Sequence, residues 1–221
     1  MKKTVNLILS IVMILSLTLF TITFSIGLPI YVREFYYMQI ESLELEEATG
    51  HTYDEIKEGY DEVLDFLTRP GGEFGAGVFK FSEEGASHFE DCKVLFTLNG
   101  TVLAISSVLI VLLLVLRLFK VYRPKTVLKR APRFYSGITT LLIFGIIGAL
   151  AATDFDRAFR IFHQIFFPGK DNWLFNPYTD EIIRAMPQEF FMNCAILIVV
   201  SIFALSIMFI LTSIKKRRKV K

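Results

Sequence analysis

Four long uncharged stretches dominate the pattern of hydrophobic and polar residues along the chain. They cover residues 4–32, 94–116, 134–153 and 190–214, and none contains Asp, Glu, Lys or Arg. About 20 apolar residues of α-helix are needed to cross the hydrocarbon core of a bilayer. The pattern therefore predicts an all-α membrane protein with four transmembrane helices packed as a bundle. Lys2 and Lys3 precede the first stretch as in a signal peptide, but the stretch is longer than a signal-peptide core, so we interpret it as a retained span.

The first polar segment, residues 33–93, has a mostly helical pattern. Residues 33–47 are predicted to continue the first helix until Gly50 stops it, and the capping box Thr52-Tyr53-Asp54-Glu55 begins the next helix. The sequence Pro-Gly-Gly at 70–72 ends that helix. Either Ser82 or Ser87 then begins a helix that leads into the second span. We expect a small, mostly helical cap, with residues 78–81 as a short strand or hairpin.

The second polar segment, residues 154–189, opens with a helix start at residues 153–156. Four phenylalanines then share one helical face, which is typical of an interfacial helix lying on the membrane: Phe155, Phe159, Phe162 and Phe166. Pro168 and Gly169 end this helix. Trp173 and Tyr178 have the residue types of the aromatic belt at the membrane interface. Pro187 precedes the fourth span.

The distribution of charge predicts which polar segments face the cytoplasm. The N-terminus, the segment 117–133 and the tail 215–221 together carry 15 basic residues and no acidic residue, whereas the segments 33–93 and 154–189 carry nine basic and 22 acidic residues. The positive-inside rule therefore places both termini in the cytoplasm and the acidic segments in an extracytoplasmic cap. We interpret the basic segments as anchors for anionic lipid and expect no nucleic-acid partner. With 53% hydrophobic residues, the composition excludes a soluble enzyme.

The three histidines all lie in the predicted outer segments. His51 is interpreted as a solvated residue between two helices. His88 is predicted in the first turn of the helix that enters the second span, where the helix dipole disfavours the imidazolium and leaves a base that can accept a proton. His163 lies ten residues after the third span. We expect His88 and His163 to meet at the outer mouth of the bundle as catalytic residues; the alternative is that each is an ordinary capping or interface histidine.

Charged residues near the two histidines are candidate supporting residues. One carboxylate among them could orient an imidazole, although most residues of this kind are simply solvated; the candidates are Asp91, Asp154, Arg157 and Arg160. The glycine-rich stretch 72–77 is interpreted as a flexible linker, with anion binding by its backbone N–H groups as the alternative. Cys92 and Cys194 lie near the outer ends of spans, either as a disulfide or as two unrelated small apolar residues.

The sequence lacks the motifs of several kinds of catalytic or cofactor site. The chain contains no HExxH, CxxC or G-x-S-x-G motif, and no histidine lies within a predicted span, so we predict no metal and no cofactor. What remains is proton transfer by histidine without an evident protein nucleophile. Such a site suits a substrate that brings its own nucleophile.

The chain resembles the bacterial lipoprotein intramolecular transacylase family over essentially its whole length. The resemblance rests on the four spans, on residues 87–93 (Ser-His-Phe-Glu-Asp-Cys-Lys) and on residues 162–167 (Phe-His-Gln-Ile-Phe-Phe). Residues 173–180 (Trp-Leu-Phe-Asn-Pro-Tyr-Thr-Asp) and 187–191 (Pro-Gln-Glu-Phe-Phe) add to it. It implies that His88 and His163 are the two catalytic histidines.

The resemblance also implies an activity and its partners. The enzyme would move the sn-2 acyl chain of an N-terminal diacylglyceryl-cysteine to the α-amino group of that cysteine, which gives a lyso-form lipoprotein. Its partners would be the diacylated lipoprotein and membrane lipid; the oligomeric state stays open. Two alternatives use the same features. One is a non-catalytic membrane subunit that binds lipid or a partner through its acidic cap, and the other is a membrane hydrolase that uses the histidines with water.

Overall fold

The computed structural model describes residues 2–124 and 130–214, and this part of the chain contains α-helices and no β-strand. The predicted basic tail 215–221 and residues 125–129 of the predicted basic loop lie outside the described residues. The helices are α1 (Lys2–Tyr31), α2 (Glu34–Ser42), α3 (Leu45–Thr49), α4 (Tyr53–Thr68), α5 (Glu83–Leu118), α6 (Pro132–Thr153), α7 (Phe155–Phe166), α8 (Ile182–Ala185) and α9 (Gln188–Ile214).

Four helices, α1, α5, α6 and α9, are long and apolar enough to cross a membrane, which confirms the four predicted spans. Helix α5 has 36 residues. At 1.5 Å per residue it is longer than a hydrocarbon core of about 30 Å requires. We therefore take its uncharged part, 94–116, as the spanning part and its charged beginning, 83–93, as lying outside the membrane.

One compact unit comprises the described residues of Met1–Ile26, Gly100–Ala149 and Ile198–Lys221. Its spans are joined by small polar side chains: Thr140 Oγ1 lies 2.6 Å from Ser206 Oγ, and Thr18 Oγ1 donates to Ser136 Oγ at 3.1 Å. Gly137 allows close packing here, because a Cβ at this position would lie 2.6 Å from the Ser206 carbonyl oxygen. Many large apolar side chains of this unit are exposed, as expected for helices whose solvent is lipid.

The other compact unit comprises Gly27–Asn99 and Leu150–Leu197. Its core is built around Tyr36 and Tyr60, whose rings stack with centroids 3.7 Å apart, and Phe190 packs edge-on against both. The Tyr36 hydroxyl donates to the Ala185 carbonyl at 2.7 Å, so α2, α4 and α8 meet at this stack. The predicted capping box forms, because Thr52 Oγ1 accepts from Glu55 N and the Glu55 carboxylate accepts from Thr52 N.

The prediction of one continuous helix over residues 33–47 is wrong. Helix α1 ends at Tyr31, and two short helices, α2 and α3, follow, separated at Glu44, whose φ of 53° is left-handed. The breaks turn Tyr36 and Ile40, both fully buried, into the core instead of leaving them on a straight exposed helix. Gly50 ends α3 as predicted, with φ at 76°.

The strand alternative for residues 78–81 is not realised. These residues form a turn and irregular backbone because the Phe79 ring packs against Gly59 of α4, where any Cβ would be 2.7 Å from the ring. The loop before them is fixed by Gly77 N, which donates to Glu62 Oε2 at 2.7 Å. Among the described residues, the anion bound by a backbone N–H of this glycine-rich loop is thus a carboxylate of the protein itself, that of Glu62.

Candidate active site

His88 lies in the second turn of α5, and its side chain is buried, with 5% of the residue exposed. Of the two predicted helix starts, Ser82 is the one used: its Oγ accepts from Gly85 N at 3.0 Å. Asp180 fixes this cap by accepting from the backbone N and the Oγ of Ser82 at 2.8 and 2.7 Å. The prediction that His88 lies in the first helical turn is therefore wrong, and the helix dipole is not what keeps its imidazole neutral.

His163 lies in the last turn of α7 and is 7% exposed. Asp154 caps the N-terminus of this helix by accepting from Arg157 N at 3.0 Å, as the sequence Thr153–Asp156 predicts. Nδ1 of His163 lies 2.8 Å from the carbonyl oxygen of Phe159. Because a carbonyl oxygen only accepts, Nδ1 carries the proton of the neutral ring, and Nε2 has the lone pair.

The structure brings the two predicted catalytic histidines together. Their ring centroids are 5.8 Å apart, with planes tilted by 33°. Phe167 contacts both rings, at 4.8 Å from His88 and 5.7 Å from His163. Phe175 packs edge-on against His88 at 5.5 Å, and Trp173 stacks on His163 at 4.6 Å with an angle of 27°. The imidazoles thus face each other inside a wall of aromatic rings.

Burial in this apolar wall keeps both imidazoles neutral. The pKa of His88 is lowered to about 4, mainly by burial and to a smaller extent by repulsion from the nearby His163, while Asp91 opposes the shift. Burial also lowers the pKa of His163, but the hydrogen bond to the Phe159 carbonyl stabilises the imidazolium and opposes that shift. His163 therefore has the environment of the stronger base of the two.

The thiol of Cys92 contacts His88 on the same helix. Sγ lies 3.4 Å from Nε2 of His88, one turn apart. Burial raises the pKa of the Cys92 thiol to about 12, so the sulfur keeps its hydrogen and has a proton to donate. Nδ1 of His88, in contrast, is buried and has no hydrogen-bond partner among the described residues. Cys92 and Cys194 are both free thiols, so the disulfide alternative is not realised.

None of the four predicted supporting residues hydrogen-bonds to an imidazole in the described part of the chain. Asp91 instead accepts from Lys170 Nζ at 2.5 Å and from Asn172 Nδ2 at 3.2 Å. Arg160 pairs with Asp156 at 3.0 Å on the exposed side of α7, and Asp154 and Arg157 interact at the helix cap. A backbone carbonyl and a thiol, not a carboxylate, orient the histidines.

His51 contacts neither His88 nor His163 among the described residues. Its Nδ1 is 3.7 Å from Glu55 Oε2, and its ring packs edge-on against Phe79. This placement agrees with its interpretation as a linker residue.

The site residues that sequence reasoning missed include Trp173, Phe167 and Asn172. The sequence predicts Trp173 at the membrane interface, but its ring stacks on His163 and its Nε1 donates to the Lys170 carbonyl at 3.0 Å. Phe167 and Asn172 have no sequence pattern that marks them as site residues. All three belong to the loop after α7, where neither helical nor strand periodicity applies; the one available signal is that Trp173 is the chain's single tryptophan.

The described residues contain no group of three His, Cys, Asp or Glu side chains placed to hold a metal ion. What the pair can do is move a proton: one neutral imidazole accepts it through Nε2, and the other donates a hydrogen bond, in a buried site lined by aromatic rings.

Comparisons with known proteins identify relatives of this fold. A family model described as "Lipoprotein intramolecular transacylase Lit" matches residues 11–191. The solved structure of the membrane integral lipoprotein intramolecular transacylase Lit from Bacillus cereus is similar, with a TM-score of 0.84 and 25% identity over 94% of this chain and 93% of that chain. A structure of the same Bacillus cereus protein with one histidine replaced by arginine has a TM-score of 0.78 and 24% identity over 96% of this chain and 91% of that chain.

A protein from Aquifex aeolicus (strain VF5), described as uncharacterized, is 27% identical over 146 residues. The aligned region covers 66% of this chain and 62% of that relative, which is less than two thirds of the relative's length.

Proposed function

The chain belongs to the lipoprotein intramolecular transacylase family, and on this premise we propose that it moves an acyl chain within a lipoprotein at the His88–His163 pair. The substrate is a lipoprotein whose N-terminal cysteine carries a diacylglyceryl thioether. The sn-2 acyl chain passes to the α-amino group of that cysteine. The observation that supports this site is the approach of two buried, neutral imidazoles to 5.8 Å.

The reaction needs no protein nucleophile because the amine and the ester belong to one molecule. The amine nitrogen attacks the ester carbonyl carbon and forms an eight-membered ring through Cα, Cβ, sulfur, two glycerol carbons and the ester oxygen. The new C–N bond gives an amide when the bond between the carbonyl carbon and the sn-2 oxygen breaks. The proton lost by nitrogen ends on that oxygen, so the step is balanced. Holding both groups in place supplies up to roughly 7–11 kcal/mol.

We assign the base to His163. Its Nδ1–H is held by the Phe159 carbonyl, so Nε2 presents a lone pair that accepts the amine proton and later returns it to the glycerol oxygen. Burial lowers the pKa of His163, but the Phe159 hydrogen bond favours the imidazolium that forms during the reaction.

We assign the oxyanion contact to His88. Because burial lowers its pKa to about 4, this imidazole stays neutral near pH 7 and is a poor proton acceptor. A thiol proton from Cys92 directed at Nε2 leaves the ring hydrogen on Nδ1, the buried atom without a partner among the described residues. An Nδ1–H donor stabilises the negative charge of the tetrahedral intermediate.

The aromatic wall supports transfer to the amine over hydrolysis. Phe167, Phe175 and Trp173 contact the two imidazoles. Water in this space would compete with the amine for the ester carbonyl, and apolar rings exclude it. The proposal therefore favours a transacylase over a membrane hydrolase.

The charge distribution and the site lead to one orientation. We propose that both termini lie in the cytoplasm and that the histidine pair works at the extracytoplasmic face, because the segments that carry it hold all 22 acidic residues. The partners are the diacylated lipoprotein and the surrounding membrane lipid.

Mass spectrometry of a lipoprotein N-terminus tests the proposal directly. The same lipoprotein is purified from cells with and without the protein, and we expect an N-acylated lyso-form only in its presence. A diacyl form with a free amine in both would rule out transfer and favour a non-catalytic subunit. Release of free fatty acid with a free amine would favour the hydrolase.

A further inference from the structure

The amide of Asn172 has a fixed orientation in the loop whose aromatic residues pack against the histidine pair. Its Nδ2 donates to Asp91 Oδ2 at 3.2 Å, and Asp91 also accepts from Lys170 Nζ. Because an ionised carboxylate only accepts, the nitrogen of the Asn172 amide must face Asp91. The amide oxygen, Oδ1, therefore points away from Asp91 and is available as an acceptor.

Oδ1 of Asn172 is buried and has no hydrogen-bond partner among the described residues. A buried amide oxygen without a donor is destabilising, and such atoms are few in native proteins and call for an explanation. The second atom of this kind in the site is Nδ1 of His88. One atom is an acceptor, and the other can donate. Together they suit a ligand that carries an N–H group and a carbonyl.

The loop that carries Asn172 is tied to both histidine-bearing helices. Asp91, which anchors Asn172 and Lys170, lies three residues after His88 in α5. Trp173, the next residue after Asn172, stacks on His163 and donates to the Lys170 carbonyl. The unpaired oxygen therefore belongs to a loop whose position is set by the two catalytic helices together.

We propose that Oδ1 of Asn172 binds the α-amino group of the substrate cysteine by accepting one of its hydrogens. This inference rests on the proposed function. While His163 removes one proton from the attacking nitrogen, Asn172 holds another N–H, so the lone pair stays directed at the ester carbonyl. A neutral amide oxygen also stabilises the positive charge that grows on nitrogen during attack, without itself removing the proton. Asn172 thereby selects a free amine over a blocked one.

The test measures recognition of the amine separately from chemistry. Two unreactive lipopeptides carry ether-linked alkyl chains, one with a free α-amine and one with an N-acetyl group, and each competes with the reactive substrate in detergent micelles. We expect the wild type to bind the free amine about tenfold more tightly, which corresponds to about 1.4 kcal/mol. Asn172→Leu, similar in size, should reduce this preference to less than twofold and should raise the ratio of fatty acid released to amide formed.

Lys170→Met is the matched control. It removes the ion pair with Asp91 and loosens the same loop, but it leaves Asn172 and its contact with Asp91 in place. It should slow transfer and keep the tenfold preference for the free amine. If Asn172→Leu does not fold, Asn172→Ala replaces it; it removes the same acceptor oxygen and should also lose the preference, so a retained tenfold preference in that variant would overturn the inference.

The outcomes separate this inference from the proposed function. No lyso-form lipoprotein from the wild type overturns both. If the wild type transfers the acyl chain, either of two results for Asn172→Leu would overturn the role of Asn172 alone. One is an unchanged preference for the free amine, and the other is an equal reduction of transfer and hydrolysis. A purely structural role would give that equal reduction, because disorder of the loop affects attack by amine and by water alike.

Discussion

Nδ1 of His163 lies 2.8 Å from the carbonyl oxygen of Phe159, one turn earlier in α7. Residue i and the carbonyl of residue i−4 are neighbours on any α-helix, so the helix itself supplies the group that fixes the tautomer of the His163 ring. No second chain segment and no carboxylate is needed for this. The lone pair on Nε2 is thus oriented by local structure, which is the property a positioned general base requires.

Replacement of either histidine should abolish detectable lyso-form lipoprotein while the protein still inserts at normal abundance. His163→Ala removes a general base, which typically costs about 10²–10⁴ in rate, and His88→Ala removes an oxyanion donor, which costs about 10²–10³. If the two act as a unit, the double variant should be little slower than either single variant. Mass spectrometry of a co-expressed lipoprotein measures all three.

His51→Ala is the control for this pair, because His51 contacts Glu55 and Phe79 and not the site. It should give normal amounts of product. Near-normal product from His163→Ala would contradict the pair and leave His88 with a packing role.

Stability should fall as pH drops below about 6.5, because of His88. Burial lowers the pKa of His88 from 6.5 to about 4, so between these values the unfolded chain binds a proton that the folded protein does not. The unfolded state is therefore favoured as the pH falls through this window, by up to about 3 kcal/mol, and stability levels off below it. His88→Leu should lose this part of the pH dependence. Thermal unfolding in detergent from pH 7.5 to 4 measures it.

A melting profile of His88→Leu that falls as steeply as the wild type would contradict this assignment. The slope would then come from other titrating groups, and not from carboxylates such as Asp180, where burial raises the pKa but hydrogen bonds from Ser82 lower it overall. Stability from that group is lost only at lower pH, as its depressed pKa is reached.

The stack of Trp173 on His163 should affect the chemical step more than substrate binding. An indole face at 4.6 Å attracts the imidazolium that forms when the base takes its proton, and such contacts contribute about 0.5–2 kcal/mol. Trp173→Leu should therefore lower kcat by about 2- to 30-fold with little change in KM. Trp173→Phe, which retains an aromatic face, should recover most of kcat. A change in KM alone would show that Trp173 only contacts the substrate.

The parts of the fold that were predictable are those set by local sequence or by the membrane. A run without charges in a bilayer has no alternative to a helix, and the Thr52 capping box and the Asp154 cap depend on residues three apart. The choice between Ser82 and Ser87 was not local, because Asp180, 98 residues away, fixes Ser82. The stacking of Trp173 was not predictable for the same reason: its loop is held by Asp91, 79 residues from Lys170.

Labelling of introduced cysteines should establish the proposed orientation. Asp171 is exposed in the loop beside the histidine pair, and Phe119 is exposed at the end of α5, so each is replaced by cysteine. A membrane-impermeant thiol reagent added to intact cells should label position 171 and not position 119. The two native cysteines are partly buried, and the unsubstituted protein gives their background labelling. Labelling at 119 in intact cells would reverse the proposed orientation.

Cys92 provides the sharpest test of how His88 is used. If the thiol proton directed at Nε2 keeps the ring hydrogen on Nδ1, a hydroxyl should do the same, and an alanine should not. Cys92→Ser should therefore retain most of kcat. Cys92→Ala should lower kcat by about 2- to 10-fold, which corresponds to the loss of one hydrogen bond of about 0.5–1.5 kcal/mol. The readout is initial rate of lyso-form product at saturating substrate.

The same two variants distinguish this role from covalent catalysis by the thiol. Burial raises the pKa of Cys92 to about 12, which leaves almost no thiolate near pH 7 and makes acyl transfer through sulfur unfavourable. A cysteine that carried the acyl chain would lose all activity on replacement by either serine or alanine, and its thioester would appear as a mass increase of one acyl group on the protein. Complete loss of product in both variants, with that mass increase in the wild type, would replace the neighbouring-group mechanism with a two-step one. Activity in both variants requires that the substrate amine attack the ester itself.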